Sequence, residues 1–192
     1  MTHFFLPSGK VRILLFFIIF LLFVAVGRGM AEKNPIIRFD YQGGQTPRIN
    51  TDPYLLILES GRGFIGSPYG ISNPIEFQLT QGEIKDILAF IIDENHFFDI
   101  DEASIQGKIK NELNQSTSSA GTNSRRVFAV MDATTTIIQI AANGKEHTIE
   151  FYALSSASRQ FPDIIELTQL LAVQKYLQNL ISIVRADTQK IP

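Results

Sequence analysis

Residues 133–154 read ATTTIIQIAANGKEHTIEFYAL. Asn143-Gly144 stands between two runs rich in β-branched and aromatic residues. A two-residue type I′ turn needs positive φ at both central positions, which Asn and Gly tolerate best. Placing the turn there pairs Ala142 with Lys145, Ile140 with His147, Ile138 with Ile149 and Thr136 with Phe151. One face then carries Ile138, Ile140, Ile149 and Phe151. The other carries Gln139, Glu146, Thr148 and Glu150, with Ile137 and Tyr152 as apolar exceptions. That alternation is what an antiparallel sheet with one buried face requires.

The segments on either side supply the layer that covers this face. Thr80 and Glu83 form the capping-box pattern, in which each side chain serves the other residue's backbone N–H. Leu79 and Ile84 bracket it as a hydrophobic staple. Ile84, Ile87, Leu88 and Ile91 follow at i, i+3, i+4 and i+7, which predicts a helix over 81–95. His96–Asp101, HFFDID, reads as a connection whose Phe97 and Phe98 plug the core. Residues 36–41, 54–58 and 63–66 read as strands, and SPYGISNP at 67–74 as loop.

A last helix is predicted over 162–185, with Pro162 and Asp163 in its first turn and Arg185 in its last. Its stripe, Leu167, Leu170, Leu171, Val173, Leu177, Leu180 and Val184, is wide enough for core packing on a sheet. A seam for a partner helix is the alternative reading. Residues 111–126, NELNQSTSSAGTNSRR, have almost no apolar content, which predicts a flexible loop. Asn114-Gln115-Ser116 within it is a glycosylation sequon, relevant only in a eukaryotic secretory route. The expected fold is therefore α+β in two layers. It has an antiparallel sheet of two β-hairpin units with two helices packed on one face.

The first thirty-one residues are of another kind. Lys10 and Arg12 precede ILLFFIIFLLFVAV, residues 13–26, and Gly27-Arg28-Gly29-Met30-Ala31 follows. This is the order of a secretory signal peptide with a small-residue cleavage site after Ala31. The alternative is a retained N-terminal membrane anchor, a signal/anchor helix preceding the domain. Fourteen apolar residues span only about 21 Å as a helix, against roughly 30 Å of hydrocarbon. In both readings Lys10 and Arg12 stay on the cytoplasmic side, which places 32–192, read as one domain, outside the cytoplasm. The address is periplasmic or extracellular, or anchored to the membrane through residues 13–26.

The chain contains no cysteine, which excludes disulfides, thiolate metal sites and thiol catalysis. Of its 17 basic residues three lie in the leader, leaving 14 against 19 acidic ones. That balance argues against nucleic acid or an anionic membrane surface as partner.

Chemical motifs are tested against the setting each one needs. Gly61-Arg62-Gly63-Phe64-Ile65-Gly66 matches G-x-G-x-x-G, but a dinucleotide site needs those glycines to open a helix. Ser67-Pro68-Tyr69-Gly70 follows instead, so the glycines read as a turn and a relaxed edge strand. A calcium loop from Asp99 lacks ligands at Ala103 and the glycine at Ser104, and Lys110 stands where its glutamate belongs. A zinc or hydrolytic site would have to join His96 and His147 with nearby carboxylates from separate elements. Gly70-Ile71-Ser72-Asn73-Pro74 lacks the final glycine of a nucleophile elbow. Glu146 and Glu150 share one strand face, where acids are usually solvated. No catalytic, cofactor or metal residue is assigned.

YLLILESGRGFIG at 54–66, LTQGEIKDILAFIIDENHFFDID at 79–101 and MDATTTIIQIAANGKEHTIEFYAL at 131–154 are followed by a closing helix. In that order they resemble a family of small exported bacterial α+β domains of unknown function. The resemblance implies a ββαββα architecture and export, and it brings no catalytic residues. Cysteines that some relatives hold near the first strand are absent here. The expected function is an exported, non-enzymatic binding or structural module of the cell envelope with an envelope protein as partner. Its candidate contact surface is Tyr152, Ile137 and Glu150 on the outer sheet face, with Arg125 and Arg126 of the 111–126 loop. The rival expectations are an enzyme built on His96 and His147, and an anchored subunit docking through helix 162–185.

Overall fold

The turn at Asn143–Gly144 forms as its residues demand, with φ of 54° and 72°. It joins strands β5 (Thr134–Ala142) and β6 (Lys145–Tyr152) in the register expected from the sequence, Ala142 opposite Lys145 through Thr136 opposite Phe151. The computed structural model describes residues 34–44, 53–66, 73–119, 128 and 130–189. Residues 1–33, with any signal or anchor helix, lie outside them.

Strand β1 (Pro35–Gly43) pairs with β5 on one side and with β2 (Leu55–Leu58) on the other. Strands β3 (Arg62–Ile65) and β4 (Ile75–Gln78) complete one six-stranded antiparallel sheet in the order β4-β3-β2-β1-β5-β6. The two hairpin units expected from the sequence are thus parts of a single sheet closed through β1. Strand β4 falls just after the loop read at 67–74, and it displaces β3 from the edge. Its cause is tertiary: a Cβ on Gly63 would lie 2.1 Å from the Phe77 ring, so Phe77 of β4 lies across the bare backbone of Gly63. Gly61 turns the chain into β3 at φ +84°, and a Cβ there would meet the Leu79 carbonyl at 2.3 Å.

Helix α1 (Gln81–Ala89) starts at the capping box: Glu83 N–H donates to Thr80 Oγ1, and Thr80 N–H donates to Glu83 Oε2 at 2.7 Å. It continues as a π turn over Phe90–Glu94, closed by Asn95, whose side-chain amide donates to the Phe90 carbonyl at 2.8 Å. A 3₁₀ turn, Phe97–Asp99, leads to helix α2 (Glu102–Ser119). This helix occupies the first nine residues of the loop predicted at 111–126; residues 120–126 lie outside the described set. Asp101 starts it by accepting the Ser104 N–H at 2.9 Å, and buried Ile105 and Ile109 fix it to the core. Short helix α3 (Leu154–Gln160) follows β6 and leads to α4 (Ile165–Thr188). Among the described residues four helices therefore stand where two were expected on the sheet.

The helices reach the sheet through one face. Ile37, Phe39, Leu55, Ile57, Ile65, Ile138, Ile140, Ile149 and Phe151 are buried on it, and Leu167, Leu170, Val173, Leu177 and Ile181 of α4 are buried with them in one cluster. Burying a side chain of this kind contributes about 1.5–3 kcal/mol, so this layer holds the domain without disulfides. A polar seam crosses the layer. Thr136 Oγ1 donates to Gln174 Oε1 at 2.9 Å, Gln178 donates to the Tyr41 hydroxyl, and Arg185 reaches the Tyr54 hydroxyl at 3.3 Å. Burial pushes the Tyr41 phenol well above its ordinary range, a shift that the Gln178 bond reduces and neighbouring Tyr54 adds to.

Candidate functional site

The second sheet face is built by the alternate residues of the same strands. Cross-strand register sets Glu76, Phe64, Leu56, Arg38, Gln139 and Thr148 in one row across all six strands. Glu76, Arg38 and Thr148 of that row are exposed, and Phe64, Leu56 and Gln139 half-buried. Arg62 ties one end of the face together, bonded to Glu76 at 2.9 Å and lying 4.9 Å from the centre of the Phe64 ring. At the other end Gln139 donates to Glu146.

Three of the five residues singled out in the sequence meet on this face. Ile137 lies opposite Glu150 and Thr135 opposite Tyr152, so the three stand at the β5–β6 end of the sheet. Glu150 is exposed and Ile137 half-buried. Tyr152 is 43% exposed, yet its hydroxyl is engaged: it donates to the Val130 carbonyl at 2.7 Å and accepts from the Ala133 N–H at 3.2 Å. Its ring offers contact area, while its polar tip clamps the lead-in to β5. Arg125 and Arg126 lie outside the described residues.

The two histidines have different surroundings. His147 donates its Nε2–H to the Ile100 carbonyl at 2.9 Å, because a carbonyl can only accept. Its ring packs edge-on against Phe97 with centroids 5.6 Å apart. It acts as a tether between β6 and the turn before α2. His96 takes the left-handed conformation at φ 50° after the π turn, and its Nδ1 lies 3.9 Å from Asp99 Oδ2 with both side chains exposed. Among the described residues no three of His, Asp and Glu are grouped to hold a metal ion.

His96 and Asp99 also border a cleft of about 330 Å³ at the start of α4, with Lys108, Asp163, Ile165 and Glu166. Lys108 pairs with Glu166 Oε1 across it, while Glu166 Oε2 is buried with no hydrogen-bond partner. The Lys108 bond, then the residue's own N–H, hold the Glu166 carboxyl below the usual carboxylate range. The pair joins α2 to α4, a structural task.

The edge of β6 was not read as a site in the sequence. In a two-residue hairpin the pair flanking the turn exchanges hydrogen bonds, so Lys145, His147, Ile149 and Phe151 point their backbone groups at β5. Glu146, Thr148, Glu150 and Tyr152 then point theirs outward, and among the described residues β6 is the last strand of the sheet. All four side chains are exposed. The same four residues thus carry the open face and the open edge.

The chain matches no family model, no curated protein and no solved structure.

Among the described residues no helix is long and apolar enough to cross a membrane. The apolar run 13–26 lies outside them.

Proposed function

We propose that this chain is an exported, non-catalytic binding module of the cell envelope that engages an envelope protein through the open face of its sheet. The observation that carries the reading is the mixed make-up of the sheet face opposite the helices. Helices take the face of Phe39 and Ile138, and the opposite face presents Arg38, Ile137, Glu150 and Tyr152. Aromatic and aliphatic groups among both signs of charge are the usual make-up of a non-obligate protein interface. The leader in residues 1–31 supports the location, as either a cleaved signal or a retained anchor. The stripe of α4 is used inside the domain, since Leu167, Leu170, Val173 and Leu177 are all fully buried.

Site-specific photo-crosslinking in the native envelope tests this reading. A photoreactive residue at Ile137 or Glu150 is expected to give a higher-mass adduct, and one at exposed Lys175 on α4 is not. Adducts from Lys175 alone, or none from the sheet face, would overturn it.

A further inference from the structure

Strand β6 has eight residues, and among the described residues no strand lies beside the outward backbone groups of Glu146, Thr148 and Glu150. An open edge of this length is a template for another strand unless something blocks it. Its charge selects what pairs. Two-fold pairings with a second copy centred on Glu146, Thr148 or Glu150 set glutamate directly opposite glutamate, whereas one centred on Ile149 sets Glu150 opposite Thr148 and brings the glutamates together only diagonally. Like charges directly opposite each other destabilise a strand pair. Helix α2 adds to the negative field, because Asp101 and Glu102 begin it next to this strand. Burial, then Glu150 and Asp101, hold the Glu102 carboxyl above its ordinary range.

We propose that the open edge of β6 is a docking site for an extended strand of a partner protein that alternates Lys or Arg with apolar residues. Its basic side chains fall on the open face opposite Glu146 and Glu150. Its apolar side chains fall on the other face, beside buried Ile149 and Phe151. Main-chain hydrogen bonds hold the strand and the alternating side chains select it, as in other β-strand additions. The acidic pair attracts the basic side chains of this partner. The inference rests on the binding-module reading and deepens it by naming the partner's chemistry.

The test uses the full-length chain in a non-ionic detergent and a fluorescent peptide of four Lys-Val repeats. In a strand docked antiparallel to β6, the orientation proposed, the lysine N–H groups face β6 and the valine N–H groups face away. Peptide binding by anisotropy is therefore expected to weaken ten-fold or more when the lysine nitrogens are methylated, and by less than two-fold when the valine nitrogens are. Thr148→Pro removes an outward N–H without costing a bond to β5, and should weaken binding by a similar factor with an unchanged circular dichroism spectrum. Glu146→Lys with Glu150→Lys should transfer the preference to a Glu-Val peptide. Amide exchange at Thr148 and Glu150 should slow when the Lys-Val peptide binds. Equal binding of both methylated peptides would reduce the effect to charge alone and overturn the proposal, as would absence of binding. Should Thr148→Pro fail to fold, the methylated pair still decides. Failure here alongside cross-links from Ile137 and Glu150 would remove the edge site and leave the sheet-face reading standing.

Discussion

Replacing Thr136 with Val removes the hydroxyl that joins β5 to Gln174 in the middle of α4. Thr136 is 3% exposed and Gln174 6%, and the bond between them is 2.9 Å long. Valine keeps the shape of threonine but leaves Gln174 Oε1 buried without this donor. Stranding a buried acceptor costs about 1–3 kcal/mol, whereas replacing both partners by apolar groups of the same shape is close to neutral. For a domain of this size each kcal/mol moves Tm by about 2–4 °C, so Thr136→Val should lower it by about 2–12 °C. Thr136→Val with Gln174→Met should recover most of that loss, a coupling of about 1–3 kcal/mol between the two positions. Thermal and urea unfolding of the wild type, both single variants and the double variant measure it. A single variant within about 0.5 kcal/mol of wild type, with strictly additive effects, would refute the packing of α4 on β5 derived above.

Further perturbations test other parts of the framework. Gly63→Ala drives a Cβ into the Phe77 ring at 2.1 Å and should cost about 1–3 kcal/mol, partly restored by Phe77→Leu, as read by chemical denaturation. Tyr152→Phe loses the bonds to Val130 and Ala133 and should cost about 0.5–1.5 kcal/mol, with faster amide exchange at Ala133. Glu102 carries a raised folded-state pKa, so its ionisation opposes folding: stability falls as pH rises from the unfolded pKa through the folded one. Glu102→Gln should therefore raise Tm at pH 7 and leave it unchanged at pH 3. Glu166 has the opposite sign, with a lowered folded-state pKa. The stability gained from Lys108 is full at neutral pH and lost as pH falls through that folded pKa, a loss that Lys108→Met should abolish.

The parts of the fold that were legible are those fixed by neighbours in sequence. Asn143-Gly144 sets its own turn, and the alternation from Thr136 to Phe151 then fixes the register. Thr80 and Glu83 satisfy each other within one helical turn. What was missed depends on distant partners. Strand β4 has only four residues and no fully buried side chain; it exists because Phe77 covers Gly63. Helix α2 was hidden by its Asn, Ser and Thr content, which favours loops in isolation. The signal for it was present in Ile105, Ile109 and Leu113 at four-residue spacing, with Asp101 as the cap. Tyr152 and Ile137 stood out because they break the alternation of the outer face. That β6 is an edge could not be read, because strand order depends on β1 inserting between β2 and β5.

The absence of cysteine makes one labelling measurement decisive for the binding-module account. Single cysteines are introduced by Glu150→Cys on the open face and Lys175→Cys on α4. Whole cells are treated with a membrane-impermeant maleimide, before and after detergent disperses the envelope. The account predicts that position 175 labels in intact cells, and that position 150 labels only once the partner has been stripped away. Equal labelling of both positions in intact cells would contradict an occupied sheet face, and labelling of neither before lysis would contradict export.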